Sequence, residues 1–233
     1  MKKICILGII LLNVSVFSQT KGLTDDGKEV VLFDNGTWKF VNESDAKSLE
    51  TISTNDFLFK KSNDAGFLMR SKKLDMGLYF NPPEWKVSPE KVSPYVEYMF
   101  RANTEDQIIG FLITEKVQVP TLKNLRDILL MGVQKNADFF RLKESEYGTV
   151  NGLKVLYIRY IANTKGLDFE YAGNYYLNDL GYCGVVAFSP QNSFEKNSVK
   201  IHEFLNGISS AKKDERTEVT QYSAPPPPMR SKK

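Results

Sequence analysis

Residues 148–189 read GTVNGLKVLYIRYIANTKGLDFEYAGNYYLNDLGYCGVVAFS and carry the strongest structural signal in the chain. Three runs in this stretch, at 155–161, 167–176 and 182–188, are dense in β-branched and aromatic residues, a composition that favours strands. Short segments rich in Asn, Asp and Gly separate the runs, and these residues tolerate the backbone angles of tight hairpin turns. The sequence therefore predicts a meander of three consecutive antiparallel strands.

Two helices are expected from apolar residues that recur at intervals of three and four positions. Thr121 is a suitable N-cap for the first helix and Ser193 for the second. The apolar stripe of the first helix consists of Leu122, Leu125, Ile128, Leu129 and Val133, and that of the second of Ile201, Phe204, Leu205 and Ile208. Because each stripe is one-sided, each helix should pack on a sheet.

Four shorter β-rich runs precede the meander, and they lie at 66–70, 76–80, 95–101 and 108–114. Together with the meander and the two helices, they predict an α+β fold. We expect one antiparallel sheet of about six strands, flanked by helices.

The first 18 residues have the pattern of a signal peptide. Lys2 and Lys3 supply positive charge, residues 4–12 are apolar, and small residues precede a cleavage site that would leave Gln19 first. The apolar run is far shorter than the roughly 20 residues that a transmembrane helix needs. We therefore expect a periplasmic or secreted protein with no transmembrane segment after signal cleavage.

The rest of the chain divides by composition into four parts. Residues 19–41 alternate β-rich runs with Asp-Gly and Asn-Gly turns, which predicts a small β ribbon. Residues 42–56 are polar, lack apolar periodicity and have the composition of a linker. Residues 57–211 hold the main α+β domain, and the Pro-rich segment 212–233 should be a disordered tail.

Two resemblances accompany these patterns. Residues 24–40 resemble the TxDGxxVxLxxDGTW segment at the front of exported envelope proteins, which implies no chemistry. The element order over 66–211, with the pattern NPPEW at 81–85 and VNG at 150–152, resembles the PsbP-like superfamily. This second resemblance implies an α/β/α sandwich and a role in binding partners rather than in catalysis.

The charge balance argues against nucleic acid as a partner. The formal net charge is +3, and it falls to +1 when Lys2 and Lys3 leave with the signal peptide. Residues 212–233 carry six basic and three acidic side chains, so the remaining body is at about −2. Phosphate binding relies on a clustered basic face, which a near-neutral body does not predict.

The sequence contains no recognisable catalytic or metal-binding motif. His202 is the only histidine, and neither a Gly-x-Ser-x-Gly motif nor a glycine-rich phosphate loop occurs. His202 and Cys183, which would be the one cysteine left after signal cleavage, cannot supply the three or four ligands of a zinc site. We therefore expect no cofactor, no metal and no enzymatic activity, with Cys183 as an apolar core residue.

Two pairs of carboxylates leave an enzymatic alternative open. Asp168 and Glu170 alternate along one expected strand, and Glu144 and Glu146 alternate just before the meander. Paired carboxylates perform acid–base chemistry, as an envelope hydrolase would require. We prefer to interpret them as solvent-facing strand surfaces, since half-exposed strands show this alternation anyway.

Aromatic residues supply the clearest indication of function. Tyrosine side chains combine a large apolar area with a polar tip and are common at recognition surfaces, although they also fill cores. The candidate binding residues are Trp85, Tyr171, Tyr175 and Tyr176. The sequence thus predicts an exported non-catalytic binding or scaffold protein of the bacterial cell envelope, whose partner is another envelope protein or an apolar small ligand. A structural or stress-related envelope factor without a small ligand is a further alternative.

Overall fold

The computed structural model describes residues 20–23, 29–33, 36–41 and 51–214. They belong to two units, one ending at Thr51 and one beginning at Ile52, and each unit is described by itself. The predicted signal peptide and the predicted tail, apart from residues 212–214, lie outside the described residues. Within the described ranges, neither helix has the length and apolar character that crossing a membrane requires.

The first unit contains a small antiparallel sheet in the region where the sequence predicts a ribbon. Its strands are β1 (Thr20–Leu23), β2 (Glu29–Leu32) and β3 (Trp38–Phe40), in that order across the sheet. The predicted turn at 25–27, between β1 and β2, lies outside the described residues.

The second unit contains the other strands and the two helices that the described residues form. In chain order these are β4 (Ser53–Phe59), β5 (Phe67–Arg70), β6 (Met76–Phe80), β7 (Trp85–Ser88), β8 (Val96–Ala102), β9 (Ile109–Glu115), α1 (Leu122–Asn136), β10 (Phe139–Val150), β11 (Leu153–Thr164), β12 (Leu167–Asn178), β13 (Gly181–Pro190), α2 (Gln191–Leu205) and β14 (Ile208–Ser210). The predicted linker 42–56 is wrong at its end, because residues 53–56 form part of β4; residues 42–50 lie outside the described residues.

The sheet is larger than the sequence predicts, which corrects the expectation of about six strands. Eight strands form it in the order β4-β10-β11-β12-β13-β9-β8-β7, and β4 pairs in parallel with β10. Strand β10 was not expected because charged residues interrupt its sequence, FFRLKESEYGTV, and few of its residues are β-branched. Strands β5 and β6, expected in this sheet, instead form a separate three-stranded sheet with β14.

Two hairpin turns of the meander have successive residues with positive φ, and the second of them lies in the predicted turn at 163–166. Asn151 and Gly152 between β10 and β11 have φ values of 49° and 81°, and Lys165 and Gly166 between β11 and β12 have values of 54° and 78°. Two successive positive φ values are typical of the tight turns that match the twist of paired strands. The meander therefore runs through four strands, β10 to β13, in direct antiparallel succession.

Each face of the large sheet carries one hydrophobic cluster. On one face, Phe194, Ile201 and Phe204 of α2 pack with Leu78 of β6 and Val185 of β13. The other face packs against α1 and is described below. The fold is therefore α+β, but the layer that holds α2 also contains the small three-stranded sheet, which the expected pair of flanking helices did not include.

The two helix starts differ in how well they were predicted. Thr121 is the N-cap of α1, and its side chain accepts a hydrogen bond from the Asn124 backbone N–H, as expected. The N-cap of α2 is Pro190, so the predicted cap Ser193 is wrong: its hydroxyl lies inside the first turn and donates to the Pro190 carbonyl. Ile208, expected in the stripe of this helix, lies in β14 and pairs with Leu78.

Candidate binding cleft

Helix α1 covers its face of the large sheet only in part. Of its 15 residues only Leu125 and Arg126 are buried, whereas Leu129, Leu130 and Val133 are half-buried. Beneath and beside the helix, a cleft of about 310 Å³ opens to solvent. This volume is at the lower end of the range in which proteins hold small molecules.

The cleft has an apolar lining with tyrosine hydroxyls and a single charged group. Its walls come from α1, from the segment that leads into β8, and from β9, β11, β12 and β13. The lining residues are Ser93, Tyr95, Val96, Phe111, Ile113, Glu115, Leu129, Leu130, Val133, Ile158, Tyr160, Tyr171, Tyr175, Tyr182 and Val186. The lining thus offers large apolar surfaces and few polar atoms.

Strand register explains why the tyrosines meet on this face. Tyr160 of β11 lies opposite Tyr171 of β12, and their rings stack with centroids 5.0 Å apart and planes 8° apart. Tyr171 and Tyr175 are four residues apart on β12, so they face the same way. Tyr182 of β13 lies opposite Glu115 at the end of β9.

The buried tyrosines remain protonated over the whole physiological pH range. Burial raises the pKa of Tyr160 and Tyr175 well above the ordinary value for tyrosine. Burial raises the pKa of Tyr182 as well, and the negative charge of the nearby Glu115 adds to this effect. Their hydroxyls therefore act as neutral donors and acceptors.

Three of these hydroxyls have no hydrogen-bond partner elsewhere in the described part of the chain. They belong to Tyr160, Tyr171 and Tyr175. Tyr160 and Tyr175 are 9% and 5% exposed as whole residues, but their hydroxyl oxygens are not among the fully buried side-chain atoms without a partner. Because both residues line the cleft, a bound molecule or water in the cleft could satisfy them.

The structure brings two of the four predicted binding residues together. Tyr171 and Tyr175 both line the cleft. Trp85 and Tyr176 contact the hydrophobic cluster on the opposite face. Trp85 is 2% exposed and stacks on Phe204 with ring centroids 4.1 Å apart. The four residues therefore do not form one site.

The carboxylate pairs adopt different environments, and the expectation of a solvent-facing surface is wrong for Glu170. Asp168 is exposed, but Glu170 is 2% exposed and accepts a 2.6 Å hydrogen bond from Arg159 Nε and a 3.0 Å bond from Lys143 Nζ. Arg159 also pairs with Glu144 and with Glu195 of α2. Alternation alone could not reveal that this face of the strand lies under a helix.

His202 uses both ring nitrogens within the fold. Its Nδ1 lies 2.7 Å from the Ser198 carbonyl oxygen, and its Nε2 lies 3.2 Å from the Tyr157 hydroxyl. Since a carbonyl oxygen only accepts, Nδ1 carries a proton and donates it to Ser198, so that in the neutral ring Nε2 is the acceptor of the Tyr157 hydroxyl. Among the described residues, no three His, Cys, Asp or Glu side chains cluster to hold a metal ion.

Sequence reasoning missed most of the cleft. Glu115, Phe111 and Tyr160 line it, but none of them was among the candidate binding residues. A partial signal was present, because alternation places Phe111, Ile113 and Glu115 on one face of β9. The missing information was the register that sets this face beside β13, together with the position of α1.

No family model and no curated protein matches the chain. Among solved structures, it resembles the cyanobacterial PsbP (CyanoP) of Synechocystis sp. PCC 6803 with 12% identity and a TM-score of 0.48, over 64% of this chain and 94% of that one. A protein of unknown function from Pseudomonas aeruginosa, described as a putative regulator, matches with 8% identity and a TM-score of 0.41, over 62% and 97%. LpqN of Mycobacterium tuberculosis, described as involved in cell envelope biogenesis, matches with 14% identity and a TM-score of 0.39, over 57% and 82%. Likenesses at these values say nothing about ligands, partners or activity.

Proposed function

We propose that this protein is an exported, non-catalytic binding protein of the cell envelope that holds an apolar small molecule in the cleft beside α1. The observation that carries the proposal is the cleft itself, about 310 Å³ in volume and lined mainly by aliphatic and aromatic side chains. Transfer of apolar ligand surface from water into such a site is favourable. Export is supported by the signal-peptide pattern of residues 1–18.

The position of α1 favours ligand entry. The helix buries few residues of its own, and Ile128 and Met131 on its outer side are 57% and 66% exposed. Elements with few buried contacts open at low free-energy cost. We infer that α1 can move away from the sheet enough to admit a ligand.

We also infer that residues 66–211 form a PsbP-like domain. The support is the order of the sequence elements, together with an antiparallel meander that packs one helix on each face. Since one fold hosts many functions, this inference adds nothing to the identity of the ligand.

A fluorescence titration with the neutral apolar probe N-phenyl-1-naphthylamine tests the proposed function. We expect saturable binding to the full chain and loss of binding in Val133→Trp, which places a large ring in the cleft. Met131→Trp is the matched control, because it adds the same ring to the exposed side of the same helix. Leu129→Phe is a second cleft-filling variant if Val133→Trp unfolds. Absence of saturable binding, or equal binding by the cleft-filling and control variants, contradicts the proposal.

A further inference from the structure

The described lining of the cleft carries a negative charge and no positive charge. Among the described residues that line it, Glu115 is the only one with a charged side chain. Glu115 is half-buried and forms no ion pair with any other described residue. The described part of the protein therefore supplies this carboxylate with no counter-charge in the cleft.

Aromatic rings share the lining with this carboxylate. Tyr182 lies directly opposite Glu115 on the neighbouring strand. Tyr95 and Phe111 line the same cleft, and Tyr95 is 59% exposed at its rim. The faces of aromatic rings carry negative electrostatic potential and attract ammonium groups.

An anionic ligand does not fit this distribution of charge. The lining offers no Lys, Arg or His side chain to an anion, and Glu115 would repel it. A neutral ligand would form no ion pair with the Glu115 carboxylate. A cation gains both from the carboxylate and from the ring faces.

We propose that the ligand is a cationic amphiphile, with an amine or quaternary ammonium group beside Glu115 and an apolar body beneath α1. This proposal rests on the proposed function, since it specifies the chemical class that the same cleft selects. The apolar body contacts the α1 side chains Leu129, Leu130 and Val133 and the stacked rings of Tyr160 and Tyr171. The tyrosine hydroxyls without protein partners can bind water or polar atoms along the ligand.

Three eight-carbon probes that differ only in their head group provide the test: octylammonium, octanol and octanoate. Their affinities are measured by isothermal titration calorimetry at pH 7 on the full chain. We expect octylammonium to bind at least about tenfold more tightly than octanol, and octanoate to bind most weakly. In Glu115→Gln, the ratio of octylammonium to octanol affinity should fall by about tenfold.

Glu203→Gln is the control, because Glu203 is an exposed residue of α2 on the opposite side of the sheet and should leave that ratio unchanged. Thermal melting of each variant shows that the fold is retained. If the three probes bind equally, or if octanoate binds most tightly, the cationic class is refuted while the binding function stands. If none of the probes binds, both proposals fail.

Discussion

The ring of Tyr175 packs across Gly184, its partner on the neighbouring strand β13. A Cβ atom built on Gly184 would lie 2.8 Å from the ring atoms Cδ1 and Cε1 of Tyr175, which is closer than real Cβ contacts. Gly173 has a similar relation to the same ring, with a Cβ distance of 2.9 Å to Cε2. Because Gly173 and Gly184 have no side chains, the Tyr175 ring packs directly against the backbone of the sheet and forms part of the cleft lining.

We predict that Gly184→Ala lowers the free energy of unfolding by about 1–3 kcal/mol, because the added methyl group collides with the Tyr175 ring. The displaced ring should also enter the cleft and weaken binding of N-phenyl-1-naphthylamine. Chemical denaturation and probe titration measure the two effects. Gly132→Ala in α1 is the control, since a Cβ there meets no atom within 4 Å and alanine favours a helix over glycine by about 1 kcal/mol. Equal stability of the two variants would disprove the steric argument.

Removal of the Arg159 guanidinium should destabilise the fold strongly. Arg159→Met leaves Glu170, which is 2% exposed, without its main partner. Removing one member of a buried ion pair typically lowers the free energy of unfolding by about 3–5 kcal/mol. For Arg159→Met we expect a decrease at the lower end of this range, about 3 kcal/mol, because Lys143 Nζ still lies 3.0 Å from the Glu170 carboxylate.

The double variant Arg159→Met with Glu170→Leu should recover most of this loss, since it removes both buried charges together. Urea denaturation of the wild type, the two single variants and the double variant gives the coupling free energy. A loss below about 1 kcal/mol in Arg159→Met would show that the pair is not important for stability.

Stability should fall in acid partly through Glu195. The hydrogen bond from Arg159, with its positive charge, lowers the pKa of this carboxyl below the ordinary 4.5. A carboxyl with a lowered pKa in the folded state stabilises the protein above the unfolded value, and this contribution is lost as the pH falls through the folded value. The melting temperature of wild type minus that of Glu195→Gln should therefore be positive at pH 7 and decrease below about pH 4.5. A pH-independent difference for Glu195→Gln would contradict the prediction.

Cys183 should be inert in the folded protein. It is 0% exposed, and burial raises the pKa of its thiol far above the ordinary value, so the reactive thiolate is scarce. In a Cys5→Ser background, where Cys183 is the only thiol, iodoacetamide should label the native chain very slowly and the chain in guanidinium chloride completely. Mass spectrometry detects the adduct. Rapid labelling of the native chain would place the thiol at the surface.

Local signals account for the parts of the fold that were predicted. The three β-rich runs of the meander became strands, Thr121 caps α1, and the predicted turn at 163–166 contains Lys165 and Gly166 with positive φ values. These features depend on interactions between residues a few positions apart, so a sequence window contains them. Ser193 failed as a cap because the helix already begins at Gln191, with Pro190 as its N-cap.

The candidate site was predictable only in part. The tyrosine content of the meander indicated a recognition surface, and Tyr171 and Tyr175 do share the cleft. Trp85 looked similar in sequence, but it packs on Phe204, which is more than one hundred residues away in the chain. Such a contact has no local signature.

Composition and periodicity alone determined that this chain forms an α+β domain with a central meander, because strand and helix patterns are properties of neighbouring residues. Tertiary structure alone decided that the sheet has eight strands, that Glu170 is buried against Arg159, and that Glu115 lies opposite Tyr182 in an apolar cleft. The physical reason is that register between distant strands and the placement of α1 result from packing over the whole core. Side chains far apart in sequence therefore acquire their common environment only when the chain folds.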